Sequence, residues 1–215
     1  MITFQNVTFA YPSVGKKVLS DMSFHIPLHG FQYLVGESGA GKTTILKLLL
    51  KEFDPQNGEI VVNGKELSGI HKKDIPRYRR KIGYVSEDMG LIETMTVYEN
   101  VELVKRVIGS DRQSIRIQVA MALKTVGMAP FFQKLPGELS GGERMKVCIA
   151  RAIVNHPDLL LADDPTANLD PGSSMEIMEL FTRLHSQGVT LLVATHDRDV
   201  VRAFEHPQIT IHKIP

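Results

Sequence analysis

The sequence predicts an α/β fold with a mostly parallel sheet, and three features carry that prediction. Residues 158–164 and 189–195 contain apolar runs that end in polar side chains. Strands that are apolar throughout are typical of a parallel sheet covered on both faces. A third apolar run, 31–35, enters a glycine-rich loop followed by a helical pattern. From about 87 to 155 long helical patterns dominate, so we expect a helical segment inserted between two strand-rich parts.

The strand-rich beginning predicts antiparallel strands beside a strand–loop–helix unit. Residues 2–9 alternate apolar and polar side chains, as a half-buried strand does. A turn at Tyr11 and Pro12, continuing through 13–17, leads into the second strand. The strands predicted here are 2–9, 18–26, 31–35, 58–64 and 82–86, with a helix at 44–50.

The helical segment and the final part have clear boundary signals. Ser110 and Asp111 are typical of a helix start, and Gly127 is typical of a helix end. The helices predicted are 96–108, 111–126, 142–155 and 171–186, and the strands are 158–164, 189–195 and 208–214.

Composition and charge exclude several classes of function. The chain has 215 residues and a formal net charge of +1, so no broad nucleic-acid-binding surface is expected. The basic run 77–81 is interpreted as the end of a solvated helix, because no second basic cluster extends it into a nucleic-acid patch. The single cysteine, Cys148, is expected in the core of a protein from a reducing compartment. Neither a signal peptide nor a membrane-spanning apolar run is present, so we expect a cytoplasmic protein that reaches the membrane through a partner.

Residues 36–43 match the phosphate-binding P-loop, G-x-x-x-x-G-K-[ST]. The glycines let backbone N–H groups approach a triphosphate, and the helix start that follows attracts anions. Lys42 can reach the β- and γ-phosphates, and the Thr43 hydroxyl can ligate Mg²⁺. Because strand, loop, lysine and helix are in register, a glycine-rich turn that binds nothing is the poorer interpretation. The predicted ATP-binding residues are Gly36, Glu37, Ser38, Gly39, Ala40, Gly41, Lys42, Thr43 and Thr44.

Two later strands end in residues suited to the same chemistry. Asp163 follows an apolar strand that can deliver its carboxylate to Mg²⁺, although a strand-end aspartate can also simply cap a turn. Asp164 is the candidate to orient or deprotonate the attacking water. His196 is the candidate to contact the γ-phosphate or hold that water. All three lie at carboxyl ends of strands, where open α/β sheets bind ligands.

A second helix start suited to phosphate lies at 140–143. Ser140 can cap the helix, and Gly141 and Gly142 permit the close approach of an anion. Two such sites on one chain predict a head-to-tail homodimer that forms on ATP binding. Each ATP would lie between the P-loop of one copy and the Ser140 turn of the other.

The P-loop and the motifs Leu-Ser-Gly-Gly-Glu, Leu-Leu-Leu-Ala-Asp-Asp-Pro-Thr and Ala-Thr-His, in this order and spacing, resemble an ABC-type ATPase domain. The resemblance covers nearly the whole chain. It implies a single domain over 1–215, with a RecA-like core and an antiparallel β subdomain formed by 1–86 and 156–215. A helical subdomain is implied over 87–155.

The resemblance also implies roles for individual residues. Tyr11 matches the aromatic residue that stacks on adenine, and Asp170 closes the D-loop. His196 matches the switch histidine, and the Mg²⁺ ligands implied are Thr43, Glu87 and Asp163. The signature turn is formed by Ser140, Gly141, Gly142 and Glu143. The implied cofactors are ATP and Mg²⁺.

Within that family, the stretches 75–83, 95–101 and 149–155 resemble the FtsE group of cell-division ATP-binding subunits. This implies an FtsX-like integral membrane partner and control of cell-wall hydrolysis at division. The same stretches occur in weaker form in lipoprotein-release and macrolide-efflux ATPases, whose partner is a transporter permease, and that alternative stays open. A DNA-repair ATPase of this fold is disfavoured because no sustained heptad pattern is present.

Two residues depart from the family pattern, since Glu87 stands where Gln is usual and Asp164 where Glu is usual. Asp is one methylene shorter than Glu, and a misplacement of about 1 Å can cost roughly 100-fold in rate. We therefore expect ATP binding with slow hydrolysis. One hypothesis is that Glu87 compensates by helping to hold the water. The alternative is a nucleotide-gated clamp with negligible turnover.

Overall fold

The computed structural model describes residues 1–12 and 15–214, so residues 13 and 14 of the expected 13–17 turn lie outside the described part, as does residue 215. The strands are β1 (Ile2–Ala10), β2 (Lys17–Ile26), β3 (Phe31–Val35), β4 (Asn57–Val62), β5 (Lys65–Glu66), β6 (Ile82–Val85), β7 (Leu159–Asp163), β8 (Thr190–Thr195) and β9 (Gln208–Thr210). The α-helices are α1 (Lys42–Leu49), α2 (Ile75–Arg79), α3 (Val97–Val107), α4 (Arg112–Thr125), α5 (Gly141–Ile153), α6 (Pro171–Ser186) and α7 (Arg198–Ala203). Short 3₁₀ turns occupy Lys72–Asp74, Ala129–Phe131 and Pro136–Glu138.

A parallel sheet with the strand order β6-β7-β8-β3-β9 forms the centre of the fold. Successive residues of its strands enter two different cores, since Leu160 faces one and Leu159 and Leu161 face the other. Helices α3 to α6 cover the first face, and α1 with the antiparallel sheet β2-β1-β4-β5 covers the second. The predicted α/β fold, with apolar parallel strands buried on both sides, is confirmed.

The antiparallel sheet contains a bulge that the alternating pattern of β1 did not reveal. The pairing of β1 with β4 shifts between Gln5 and Thr8, and Asn6 has a φ of 50°. Gly58 of β4 packs directly against the bulge. A Cβ at this position would lie 2.4 Å from the backbone oxygens of both Gln5 and Asn6. Position 58 therefore accepts only glycine.

We expect Gly58→Ala to lower the free energy of unfolding by about 2–4 kcal/mol, because the strands must separate and a φ of +84° disfavours any side chain. Urea unfolding followed by circular dichroism measures the loss. Gly64→Ala is the matched control, since Gly64 has a similar φ of +70° but no atom within 4 Å of its Cβ position. That variant should lose only about 1 kcal/mol. Equal losses in the two variants would contradict the role given to the bulge.

The predicted long helices at 96–108, 111–126 and 142–155 are present as α3, α4 and α5. The final strand is shorter than predicted and ends at Thr210. Helix α7 was not predicted. The Asp197 carboxylate caps its start by accepting hydrogen bonds from the N–H groups of residues 199 and 200. Such a cap can start a short helix whose sequence has no periodic apolar pattern.

The basic run 77–81 contains the exposed end of α2, as expected, and two of its side chains also contact the end of α1. The Tyr78 hydroxyl donates to the carbonyl oxygen of Leu49 at 2.6 Å. The Arg79 guanidinium donates to the carbonyl oxygens of Leu50 at 2.7 Å and Lys51 at 3.1 Å. These carbonyls lie at the carboxyl end of α1. The last carbonyls of a helix have no N–H partner within the helix, so they need donors from elsewhere. The run therefore caps the helix that follows the P-loop.

Two expectations concern the overall organisation, namely whether a helix spans a membrane and how the chain divides into subdomains. Within residues 1–12 and 15–214, every helix is too short or too polar to cross a lipid bilayer. The division into a core from 1–86 and 156–215 and a helical subdomain over 87–155 stays a prediction.

Candidate functional site

The candidate site lies at the carboxyl edge of the parallel sheet. In this sheet Val35, the last residue of β3, pairs with Thr195 at the end of β8. Asp163, the last residue of β7, pairs with Ala194. Because neighbouring parallel strands end together, the P-loop and the residues after β7 and β8 must converge. His196 and the P-loop accordingly border the same cleft.

The P-loop is folded around its own lysine. Gly39 and Gly41 have φ values of 76° and 107°, which only glycine adopts readily, and Gly41 leads directly into α1. Lys42 is 7% exposed, and its Nζ donates to the carbonyl oxygens of Gly36 at 2.8 Å and Glu37 at 3.1 Å. The structure thus holds a positive charge inside the loop, at the amino end of a helix.

The predicted magnesium ligands Thr43 and Asp163 are in contact. The Thr43 hydroxyl donates to Oδ1 of Asp163 at 3.1 Å. Mg²⁺ holds oxygen ligands at about 2.0–2.1 Å in octahedral geometry, which places neighbouring ligands roughly 3.0 Å apart. The hydroxyl and the carboxylate therefore fit Mg²⁺. Among the described residues, His, Cys, Asp and Glu side chains do not gather in threes around a possible metal position. Phosphate and water oxygens would have to complete such a site.

Asp163 is a buried carboxylate in a negative environment. It is 5% exposed, and burial raises its pKa. The hydrogen bond from Thr43 acts in the opposite direction, while the charges of Asp164 and Glu87 raise the pKa further. A carboxylate that is both desolvated and surrounded by negative charge favours a cation as its partner.

Tyr84 belongs to the same cluster but was missed at the sequence level. Its hydroxyl lies 3.5 Å from Oδ2 of Asp163, and burial raises the pKa of the phenol well above its usual range. Tyr84 precedes the end of β6, the strand that pairs with β7. A tyrosine on a predicted strand gives no hint of this contact, because only the sheet order places it beside Asp163.

Asp164 and His196 form a tight pair. The Asp164 backbone is left-handed, with a φ of 44°, and its N–H donates to the carbonyl oxygen of Ala194 at 2.8 Å. His196 Nδ1 lies 3.0 and 2.9 Å from the two carboxylate oxygens, and the His196 backbone N–H donates to Oδ1 at 3.2 Å. A carboxylate can only accept, so Nδ1 carries the proton and Nε2 is the nitrogen left free of the pair.

A cleft of about 820 Å³ joins the first half of the P-loop to the ends of β8 and β9. Gly36, Glu37, Ser38 and His196 line it. A groove of about 1340 Å³ runs along α3 and α4, away from these residues. We identify the site by its chemistry, because a triphosphate needs the lysine and the backbone N–H groups of the loop rather than the larger volume.

Tyr11 lies beside the start of α1. Its hydroxyl is 3.0 Å from Thr44 Oγ1, and its ring meets Phe53 edge-on with the centroids 5.3 Å apart. The structure thus brings two predicted ATP-binding residues together. The stacking of Tyr11 on adenine stays a prediction.

The signature turn and the D-loop lie against each other. Ser140 caps α5, with its hydroxyl accepting the N–H of Glu143, whose pKa is lowered by the hydrogen bond it receives from the Ser140 backbone. Asp170 caps α6 by accepting from the N–H and hydroxyl of Ser173 at 3.0 and 2.5 Å, which lowers its pKa. A Cβ on Gly141 would lie 3.1 Å from Cδ2 of Leu169, the residue before Asp170. The polar contacts described for Ser140 stay within its own helix start.

Side chains of α5, the helix capped by Ser140, hold the loop that follows Glu87. Arg151 donates to two carbonyl oxygens of the loop 88–93 at 2.5 and 2.6 Å. The Cys148 thiol donates to one of them at 3.3 Å, and Arg144 pairs with a glutamate of the loop. Burial raises the pKa of Cys148 to about 11, and its expected core position is confirmed. Helical spacing puts these three side chains on one stripe of α5, but the sequence could not show what the stripe faces.

Comparison with known proteins agrees with this geometry. The family described as "ABC transporter" matches residues 19–167, which span the P-loop, the signature turn and the carboxylates at the end of β7. The cell division ATP-binding protein FtsE of Bacillus subtilis (strain 168) is 41% identical over 211 residues, covering 98% of this chain and 92% of its own length. FtsE of Escherichia coli (strain K12) is 38% identical, covering 98% and 95%. A dimeric structure of a post-hydrolysis state of the ATP-binding cassette MJ0796, bound to ADP and Pi, has a TM-score of 0.87 at 30% identity and covers 100% of this chain and 97% of its own.

Proposed function

This chain belongs to the ABC transporter family, and on that premise we propose that it is the ATP-hydrolysing subunit of a cell-division complex. ATP binding would close a homodimer, and hydrolysis would reopen it. An FtsX-like integral membrane partner would hold the subunit at the cytoplasmic face of the cell membrane and respond to this movement. The similarity to FtsE supports the cell-division role. The observation that carries the enzymatic role is the convergence of Lys42, the Thr43–Asp163 contact and the Asp164–His196 pair at one sheet edge.

The proposed roles follow from the chemistry of the site. Lys42 and the loop N–H groups bind the β- and γ-phosphates, and Tyr11 stacks on the adenine. Thr43, Asp163 and Glu87 hold Mg²⁺, which when bound neutralises charge on the phosphate oxygens. Asp164 and His196 would hold and orient the attacking water. Catalysis in this class of reaction is mostly positioning and charge neutralisation.

The proposed dimer gives the signature turn a phosphate to bind, because the polar contacts described for this turn are local. Ser140 and its neighbours present a helix start whose described polar contacts are local. In a head-to-tail dimer this turn would meet the γ-phosphate bound by the other copy. The similar cassette MJ0796 is described as dimeric and bound to ADP and Pi.

We expect Ser140→Asp to prevent nucleotide-dependent dimerisation while leaving the protomer folded. Aspartate caps a helix as well as serine does, but its charge would face the γ-phosphate across the dimer. Light scattering with a non-hydrolysable ATP analogue and Mg²⁺ should show a dimer for the wild type and a monomer for the variant. Equilibrium titration should show that the monomeric variant still binds the analogue.

Thr96→Asp is the matched control for this experiment. Thr96 caps α3 with the same reciprocal contacts to Glu99 that Ser140 makes to Glu143. This control should dimerise like the wild type. A Ser140→Asp protein that still dimerises would show that the turn does not face the nucleotide.

A nucleotide-gated clamp with weak hydrolysis is the second candidate, and the Asp164–His196 pair is the observation that favours it. Both carboxylate oxygens of Asp164 already contact His196, so fewer lone pairs are left to accept a hydrogen bond from the attacking water. Steady-state ATPase assays of the subunit alone and with the membrane protein that copurifies with it would separate the two. Turnover that stays negligible with the partner bound would favour the clamp.

A further inference from the structure

We propose that one basic face of this chain binds directly to membranes that contain anionic phospholipids. This basic face is formed by the exposed side chains of Lys65, Lys72, Lys73, Arg77, Arg80 and Lys81. Such binding goes beyond the proposed function, because lipid headgroups can be contacted without nucleotide and without the proposed membrane partner.

Positive charge is concentrated in the segment 72–81. Six of its ten residues are basic and one, Asp74, is acidic, although the formal net charge of the whole chain is only +1. Within residues 1–12 and 15–214, the side chains of the basic face take part in no ion pair. Their charges are therefore not neutralised by ion pairs within the protein and can attract an external anion.

The fold turns much of this charge outward. Tyr78 and Arg79 contact the end of α1, so one side of α2 faces the protein. Helical spacing places Lys73, Arg77 and Arg80 on the opposite side, and all three are exposed. Helix α2 therefore joins the helix that follows the P-loop to an outward row of positive charge.

A separate strand adds to the basic face. Lys65 of β5 lines the same cleft as Arg77 and Lys81, a cleft of about 530 Å³. Glu66 and Asp74 also line this cleft, so the basic side chains of the face are opposed by two acidic ones. The basic side chains remain in excess, and the face stays positive. The run 77–81 has no second basic cluster to extend it along the sequence, but the fold places Lys65 beside it.

The composition of this face suits a lipid surface better than a protein or nucleic-acid partner. Lysine is depleted at protein–protein interfaces, whereas clusters of about four to eight lysines and arginines are typical of segments that bind anionic lipids. Proteins that bind single-stranded nucleic acid stack the bases on aromatic side chains. The one aromatic residue of 72–81 is Tyr78, which is partly buried and whose hydroxyl is bonded to Leu49. An anionic membrane needs only the positive charge.

Vesicle flotation of the purified full-length protein tests this contact. The wild type is mixed, without nucleotide, with vesicles of phosphatidylcholine or with vesicles in which roughly one third of the lipid is phosphatidylglycerol. We expect binding only to the anionic vesicles. This binding should disappear at about 0.5 M NaCl, because salt screens the attraction between exposed charges.

The variant Lys73→Gln/Arg77→Gln/Arg80→Gln tests the basic face itself. It leaves Tyr78 and Arg79 in place, so the contacts to α1 are retained. Binding to the anionic vesicles should fall by at least about tenfold, because each removed charge weakens the attraction several-fold. Thermal unfolding should change by only a few degrees, which checks that the variant is folded.

Arg112→Gln/Lys124→Gln/Arg183→Gln is the matched control. It removes the same charge from exposed positions on α4 and α6, outside the basic face. If the control binds the anionic vesicles less than about tenfold more tightly than the basic-face variant, the proposed contact is wrong, because binding would then follow total charge rather than this face.

Two other results would also overturn the proposal. One is a wild type that does not bind the anionic vesicles at low salt, and the other is equal binding to both kinds of vesicle. If a labelled DNA duplex binds the wild type but not the basic-face variant, and vesicles do not bind, the face is a nucleic-acid surface instead. Failure in these assays leaves the proposed ATPase function standing, because ATP hydrolysis by the same preparation is measured separately.

Discussion

Lys42→Ala should abolish the activity of this protein, with ATP turnover falling by roughly 10³-fold or more. The Nζ of Lys42 is the buried positive charge of the P-loop, lying 2.8 and 3.1 Å from two loop carbonyls that it can exchange for phosphate oxygens. Alanine leaves the backbone N–H groups in place but removes the charge that compensates the β- and γ-phosphates. Binding of MgATP should therefore weaken together with turnover, and fluorescence titration with a labelled nucleotide measures this loss.

Lys47→Ala is the matched control for this prediction. Lys47 lies in the last turn of the same helix, away from the loop. It should bind and hydrolyse ATP like the wild type. Thermal unfolding should change by only a few degrees in either variant, because the Lys42 contacts are to loop carbonyls that water can also reach. A Lys42→Ala protein with near-normal turnover would mean that the loop does not carry the triphosphate.

Asp163→Asn should still bind ATP, but Mg²⁺ should no longer increase the affinity. An amide is a far weaker ligand for Mg²⁺ than a carboxylate, so hydrolysis should fall by roughly 10³-fold while ATP still binds without the metal. Isothermal titration with and without Mg²⁺ should show that the metal no longer increases affinity. In the wild type the increase should be present.

The same substitution should not destabilise the fold. Burial raises the pKa of Asp163, so its ionised form is less favourable in the folded state than in the unfolded state at neutral pH. A neutral amide removes that penalty, and urea unfolding at pH 7 should show equal or greater stability. Asp158→Asn controls for the charge change, because Asp158 is exposed and lies directly before the same strand. A Mg²⁺ effect that survives in Asp163→Asn would exclude Asp163 as a metal ligand.

The sequence predicted those elements whose signals are local. Helix α6 begins and ends as predicted at Pro171–Ser186, because Asp170, the proline after it and the final glycine each act on neighbouring residues. Strands β7 and β8 are continuous apolar runs. By contrast, the bulge in β1 arises from pairing with β4, and α7 arises from a single capping carboxylate.

The convergence of the site could also be predicted, because parallel strand order and strand-end residues are enough to bring Asp163, Asp164 and His196 to the P-loop. The contacts that support these residues could not be predicted in this way. Tyr84 reaches Asp163, Arg151 reaches the loop after Glu87, and Arg79 reaches the end of α1, each across a long separation in the sequence. Such contacts depend on how the strands and helices pack together, which no local pattern records.

The cap on α1 has an electrostatic consequence for the opposite end of that helix. An α-helix of eight residues is about 12 Å long, so its negative pole would normally cancel much of the field that its positive pole projects. Here the guanidinium of Arg79 sits on that negative pole. Seen from a bound phosphate, α1 acts less as a short dipole and more as an isolated partial positive charge, because its counter-charge is masked at the far end of the helix.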